Sequence, residues 1–552
     1  MSAAKAALSR LPVPRPSPGG VLGAGRSGGL GRVARAVSLL PGRAADVLSQ
    51  RTRLVLDHVE GRREEPGQEP GRDAGPGRRS ARSLRSDLHR LAAVLEGADR
   101  PTAWFALAVL RAELPLPEEV DTLLREARTA GGALALAELL ARRPVLASLL
   151  AGAPVEVTSD TLVDVHATAG DGRSTGIQRV TRETVRRWLV TQDVRCVAWH
   201  EGLRALRDLR ADEHAAMASG VPLVRDGDPP PAPPTALVPW HGTYLLAELA
   251  LDPARTVRLR GLAAWSGCRT GAVGFDCVPV TSAETTDAWI SEYFAGNLAA
   301  LREFDTVATI SDAAALEYRG WTRMLGSIGR RGPEIVPVPL PEWAPEPAPA
   351  AVTAARDRFG ARPGAEPGAG PLVLCVGSHE PRKNHPAVLH AAHRAWLSGR
   401  RFTLAFVGAR GWRGDEFAVE AARLAGLGFP VEHHEGVGDD ELWAAYRLAR
   451  FLVFPSLNEG YGLPVAEALA LGTPVLTSAH GSLGDLARGG GAVTVDPRDD
   501  DDLLRGFQAL LDDDDLVAEL RAQATRRPGR TWDDYAAQAW HRLVGTGTGA
   551  GR

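Results

Sequence analysis

Two successive series of strands alternating with helices predict an α/β protein with two parallel-sheet units in tandem. Three observations carry this. From Val155, apolar strand-like runs alternate with amphipathic helical segments as far as EIVPVP. A second series starts at PLVLCVG (371–377) and runs to AVTVDP (492–497). Between them lies PLPEWAPEPAPA, whose prolines read as a hinge or linker.

Ahead of the first series, residues 1–83 mix Pro, Gly, Ser and Arg with little sustained apolar periodicity. They are expected to be a largely disordered basic extension, with at most a short helix within LGRVARAVSLL. Residues 84–150 turn helical: LRSDLHRLAAVLEG, TAWFALAVLRAEL, PEEVDTLLREAR and GALALAELLARR place apolar residues three and four apart. This predicts a small helical module with no chemistry of its own. In the first α/β unit (155–340), TLVDVH, VRCVAWH, TALVPW, GAVGFDCVPV, DTVATIS and EIVPVP read as strands. Helices fall at GIQRVTRETVRRWLV, Ala288–Phe304 and Ala313–Tyr318. After a linker at 341–370, the second unit (371–528) adds RFTLAFVG, PVEHHEG, FLVFPS and TPVLTS, with a closing helix over 529–545.

Composition narrows the class. The 552 residues are 44% apolar and 24% charged, which excludes a fibrous, collagen-like or wholly disordered chain. The net charge of -3 argues against a dominant electrostatic partner. It hides 17 basic against 8 acidic residues in the first 90, so the body carries -12. With no reader motif there, nucleic acid is not an expected partner. The basic tail could touch anionic lipid. Four cysteines without CxxC spacing suggest buried thiols in a reducing compartment. No apolar run approaches the roughly 18–20 residues of a membrane span, and no secretory h-region opens the chain. A cytoplasmic protein is the expectation, peripheral at the inner membrane face if the tail binds lipid. Only two lysines (Lys5, Lys383) and three asparagines (Asn297, Asn384, Asn458) occur, a pattern of coding bias. A rare residue that persists under such bias points to a specific need.

Two motifs carry the chemistry. In LCVGSHEPRKNH a buried strand ends at Gly377 and a helix begins near Asn384, a good N-cap. Arg382 and Lys383 then sit at the crevice end of a sheet beside a helix N-terminus, an arrangement suited to a pyrophosphate. In FPSLNEGYGLPVAEALALGTPVLTS, Pro464 fits the first turn of a helix and Gly472 its end. Glu459 lies in the loop before that helix and Glu467 about one turn inside it. Carboxylates there can accept hydrogen bonds from sugar or ribose hydroxyls, and glycines let backbone N–H groups approach a phosphate. The runs DDDD at 499–502 and 512–515 read as solvated helix starts. His433 and His434 adjoin without a third ligand at metal spacing, which favours a structural role.

Residues 155 to 545 resemble the retaining nucleotide-sugar glycosyltransferases of family four. The resemblance rests on TGIQRV, GAVGFDCVPV, DTVATISDAA, VGSHEPRKNH, VGARGW, the Glu-x7-Glu segment, SLGDLARGGGAVTVDP and the TWDDYAAQAW helix. It implies the GT-B fold, two Rossmann-like parallel-sheet domains facing an interdomain cleft, with the acceptor on the first domain and the nucleotide sugar on the second. It implies that Arg382 and Lys383 hold the donor diphosphate and stabilise the leaving group. Glu459 would contact the donor sugar and Glu467 the ribose. The amides of Gly460, Tyr461, Gly462 and Leu463 would reach sugar and phosphate, and Gly176 would open a helix to the phosphate, with Gln178 and Arg179 following. Helix N-terminus and basic pair would replace a metal, so neither metal nor cofactor is expected. The implied partners are a GDP- or UDP-sugar and a saccharide or lipid-linked acceptor, with mannose suggested by TGIQRV. Where many relatives carry His-Asp, this chain has Phe275 and Asp276. Asp276 is a candidate for positioning the acceptor or serving as base, or is a structural strand-end carboxylate; His241 is a second crevice candidate. An epimerase or phosphorylase of the same architecture, and a non-catalytic sugar-nucleotide-binding scaffold, are the alternatives.

Overall fold

Six short apolar runs in the second unit form an all-parallel sheet in the computed structural model, which describes residues 26–61, 81–172, 175–225, 227–359, 370–411 and 414–545. The strands are β10 (Leu372–Val376), β11 (Thr403–Val407), β12 (Val431–His434), β13 (Phe451–Phe454), β14 (Val475–Ser478) and β15 (Ala492–Val495). Their order is β12-β11-β10-β13-β14-β15. β13 and β14 are buried throughout, as expected of strands covered on both faces. The order reverses between β10 and β13, so a crevice opens beyond their carboxyl ends. Both motif loops leave the sheet there.

The first sheet contains β1 (Val155–Thr158), β2 (Thr161–Asp164), β3 (Arg195–Trp199), β4 (Leu206–Asp208), β5 (Ala236–Pro239), β6 (Thr243–Leu246), β7 (Arg269–Gly274), β8 (Thr306–Thr309) and β9 (Glu334–Pro337). Its order is β1-β5-β4-β3-β2-β6-β7-β8-β9. The expectation of a purely parallel sheet fails at β4, which runs antiparallel to β3 and β5. β1 and β2 pair in register with β5 and β6 as two interrupted runs. GAVGFDCVPV is not all strand: β7 stops at Gly274, and Val278–Thr281 is a helical turn with Pro279 in its first turn. The architecture is thus α/β, two Rossmann-like sheets, which is the layout of the GT-B fold.

Both sheets belong to one structural unit, Arg100–Val120 with Ala153–Arg552, and Met1–Asp99 with Asp121–Gly152 form another. Two expected boundaries need correction. Helices Arg26–Ser38 and Gly42–Val59 occupy much of the stretch expected to be disordered over 1–83. Gly29 in the first of them serves close packing, since an added Cβ would lie 3.0 Å from Ala133 on the facing Gly132–Ala141 helix. Residues 1–25 and 62–80 lie outside the described residues. The helical module over 84–150 is divided, because the Arg100–Arg111 helix packs on the first sheet through Phe105 and Trp240, whose rings are 4.3 Å apart. The linker at 341–370 also holds a helix, Pro349–Phe359.

The closing helix, Trp532–Val544, returns to the first sheet's elements. Trp188 Nε1 donates to the Ala536 carbonyl at 2.9 Å, and Arg269 Nε to that of Leu543 at 3.0 Å. The acidic runs cap helices, as expected: Asp499 accepts from the amides of Asp501 and Asp502, and Asp513 from that of Leu516. The four cysteines are buried and free. Among the described residues no helix is long and apolar enough to cross a membrane.

Candidate active site

Just past β10, Pro381–Lys383 form a single 3-10 turn before the His385–Leu397 helix. Asn384 occupies the N-cap position but does not cap with its side chain, which corrects the expected role. It adopts a left-handed conformation (φ 57°), and its Nδ2 donates to the Pro497 carbonyl at 2.7 Å. Asn384 therefore ties the basic loop to the end of β15.

Arg382 and Lys383 converge on Glu459, which follows β13. Lys383 Nζ donates to Glu459 Oε1 at 2.7 Å, and Arg382 lies 2.5 Å from Oε2. Ser456 Oγ donates to the same Oε1 at 2.7 Å, and Glu380 lies 3.3 Å from Arg382 on its other side. The Lys383 stem runs beside Gly377 and its ammonium lies 4.9 Å above the Phe454 ring. Burial pushes the Glu459 carboxyl up, but the charges of Arg382 and Lys383 outweigh it and hold it at about 2. Burial lowers the Lys383 ammonium, with Glu459 opposing. Arg382 moves the other way: burial disfavours its charge, yet Glu459 and Glu380 raise its pKa. Two cations and two carboxylates are thus fixed, partly desolvated, at the switch point of the sheet.

The first sheet presents its own carboxyl ends to this cluster. Asp276, two residues past β7, stands against Gly460, where an added Cβ would lie 2.8 Å from its Oδ2 and from the Phe275 carbonyl. Only glycine permits that approach. Ser311 Oγ, past β8, donates to the Gly460 carbonyl at 2.6 Å. Asn458 Nδ2 donates to Thr281 and Ser282 hydroxyls, both at 3.1 Å. Gly176 opens the Gly176–Thr191 helix beside Leu463, and Gln178 is engaged in a capping box with Thr175. Burial pushes the Asp276 carboxyl up to about 6, Arg382 opposing and Glu317 adding to the rise.

Glu467 sits on the Leu463–Ala470 helix, whose N-cap Gly462 has φ 102°. It is 3% exposed, pairs with Arg179 and accepts from Tyr446 Oη at 3.1 Å. Burial raises its pKa, with Arg179 opposing. Arg179 also lies over the Trp443 ring at 5.8 Å. Tyr461 turns away: its hydroxyl donates to the Leu340 carbonyl at 2.8 Å, so only its backbone faces the loop. Sequence reasoning missed Ser456, Glu380, Tyr446, Trp443, Ser311 and Glu317. Ser456 and Glu380 carried a signal, since each lies inside one of the two motif loops.

His241 is not at the crevice. It lies in the interruption between β5 and β6, at the amino end of β6, against Gly267 and Trp240. Phe275 is 3% exposed and belongs to the apolar core. His433 and His434 point to opposite faces of β12, as strand periodicity requires. His433 Nε2 lies 2.6 Å from His379 Nε2, whose Nδ1 lies 2.9 Å from His385 Nδ1, while His434 meets Glu432 at 3.1 Å.

Residues 361–527 match the family described as Glycosyl transferases group 1. The O-antigen chain mannosyltransferase B of Escherichia coli is 35% identical over 168 residues, 30% of this chain and 43% of that one. A D-inositol 3-phosphate glycosyltransferase of Thermobispora bispora is 34% identical over 177 residues, 30% of this chain and 41% of that one. The chain thus spans less than half the length of these relatives. Among solved structures, the sucrose-phosphate synthase of Thermosynechococcus elongatus is 16% identical over 70% of this chain and 96% of that one, with a TM-score of 0.49.

Proposed function

We propose, from the match of residues 361–527 to the Glycosyl transferases group 1 family, that the chain transfers a sugar from a nucleoside-diphosphate sugar to an acceptor hydroxyl, with retention at the anomeric carbon and without a metal. The observation that carries this reading is the Arg382–Lys383–Glu459 cluster at the switch point between β10 and β13. A diphosphate that enters there meets two preorganised cations held close by Glu459. As the bond from the anomeric carbon to the diphosphate oxygen breaks, negative charge grows on that oxygen, where fixed cations act most strongly. Both cations are already in place, so little reorganisation is required at that moment.

Glu459 sets the charge balance of the pair and presents oxygens to sugar hydroxyls. The Gly460–Leu463 backbone is narrow enough for close approach. Glu467 offers ribose acceptors in competition with Arg179. The acceptor hydroxyl comes from the side of the first sheet, where Asp276 stands. With a pKa near 6, Asp276 is ionised at neutral pH and can accept a hydrogen bond from that hydroxyl. Accordingly, transfer should fall as pH drops below about 6, where the carboxylate takes up a proton. Asp276→Asn should lower the rate and abolish that acidic limb. A pH–rate profile of the two proteins tests this, and an unchanged limb would exclude Asp276.

GDP- or UDP-mannose as donor and a saccharide or lipid-linked saccharide as acceptor are the finer parts of the proposal. Mannose is supported by the names of the Escherichia coli relatives. A cytoplasmic placement, with the basic N-terminal residues touching the inner face of the membrane, suits a lipid-linked acceptor. A thermal-shift panel of GDP, UDP, ADP and dTDP sugars tests the donor, since the bound ligand stabilises the native state according to its affinity. One base should stand out, and nucleotide release should require acceptor. Stabilisation by no member would overturn the reading.

A further inference from the structure

The helix Asp312–Ser327 begins at the candidate site. Ser311 caps it, its Oγ accepting from the Ala314 amide at 2.9 Å while it donates to the Gly460 carbonyl. Ala314, Ala315 and Tyr318 bury the inner face. The outer face carries Leu316, Arg319 and Arg323 at three- and four-residue spacing, with Met324 beside them on its flank. Ile328, Arg330 and Arg331 prolong it past the helix end. Leu316, Met324 and Ile328 are 65%, 67% and 72% exposed, and the four arginines are exposed as well.

The charge along this stripe is one-sided. From Tyr318 to Pro333 there are four arginines and no acidic residue. Asp312 and Glu334 bracket it at either end. Glu317 is engaged elsewhere, accepting from the Cys277 amide at 2.7 Å and the Thr281 hydroxyl at 2.9 Å. Arg319 donates weakly to the Ile335 carbonyl at 3.3 Å. Among the described residues no acidic group pairs with Arg323, Arg330 or Arg331.

Arginines alone would suit any polyanion, but here they are interspersed with large apolar side chains left in water. A nucleic acid offers the guanidinium groups phosphates but gives Leu316, Met324 and Ile328 no apolar phase to enter, and a peptide that is only acidic does no better. An anionic bilayer satisfies both sets at once, phosphates at the level of the arginines and acyl chains beneath. We propose that this stripe docks the protein on an anionic lipid bilayer. The helix is about 24 Å long at about 1.5 Å per residue. Docking therefore holds the Gly460 loop within reach of a saccharide whose lipid is in the same membrane. The inference rests on the peripheral placement proposed above and on no step of the chemistry.

The test is flotation of the full chain with phosphatidylcholine vesicles, with and without phosphatidylglycerol. The protein should bind only the anionic vesicles and be released as salt rises. Arg323→Gln/Arg330→Gln/Arg331→Gln should weaken binding by about tenfold or more. Leu316→Ser/Met324→Ser/Ile328→Ser should weaken it even at low salt, and both variants should retain nucleotide binding and circular dichroism. Absence of binding to anionic vesicles overturns the proposal, as does equal binding by wild type and both variants. Capture of an acidic polymer without vesicle binding also overturns it. Nucleotide binding is read separately, so failure of the membrane surface leaves the transferase reading distinguishable.

Discussion

Lys383→Ala should lower sugar transfer by about 10²–10³-fold, the effect of removing one preorganised donor to a developing oxyanion. The fold should survive, because Glu459 keeps Arg382 as a partner at 2.5 Å. Lys383→Arg should restore less than about a tenth of the lost activity, because the two cations are not interchangeable at a shaped site. The lysine stem lies against Gly377 and its ammonium sits over Phe454, a slot shaped for a compact charge rather than a planar fork. Single-turnover rates with saturating donor give the measurement. Full activity in Lys383→Arg would mean that the single lysine of the α/β body reflects coding bias and nothing more.

Glu459→Gln should act through stability as well as rate. The side chain of Glu459 is 9% exposed and those of Lys383 and Arg382 are 11% and 18% exposed, so the substitution leaves two partly desolvated cations short of a counter-charge. Removing one partner of such a buried pair costs about 3 kcal/mol. Because Glu459 is held at about 2, its carboxylate contributes stability above its unfolded pKa, which is lost as pH falls towards 2. The variant should therefore melt lower than wild type at neutral pH, with the gap closing in acid. A nucleoside diphosphate should restore much of the loss by supplying the missing negative charge. It should bind the variant at least as tightly as wild type while transfer is lost. Melting curves with and without nucleotide check this; equal melting of the two ligand-free proteins would contradict it.

These two residues illustrate what the sequence reveals and what it conceals. Each motif loop could be placed because it follows a continuous apolar strand and precedes a helix with its own start signals. All six strands of the second sheet lie within the segments read from their apolar runs. The pairing of Lys383 with Glu459, 76 residues apart, has no local signature, and neither has that of Arg179 with Glu467, 288 residues apart. β4 was missed because its three residues include Arg207 and Asp208, and Arg207 is stabilised by a buried pair with Glu213 at 2.7 Å. The early helices were hidden by composition. In RSGGLGRVARAVS the glycines look like loop signals, yet Gly29 lets the helix pack closely on Ala133. TALVPW reads as one strand, which puts His241 at its carboxyl end. The interruption at Trp240–Gly242 instead leaves it at the opposite end of the next strand.

A diphosphate site built by Arg382, Lys383 and Glu459 is the centre of the proposed chemistry. Calorimetric titration of GDP and UDP into wild type and Lys383→Ala addresses that directly. One of the two nucleotides should bind the wild type and lose about tenfold or more in affinity on removal of the ammonium, as expected for a charge-assisted contact worth at least 1.4 kcal/mol. Equal affinity for both proteins, or no binding of either nucleotide to the wild type, would contradict it.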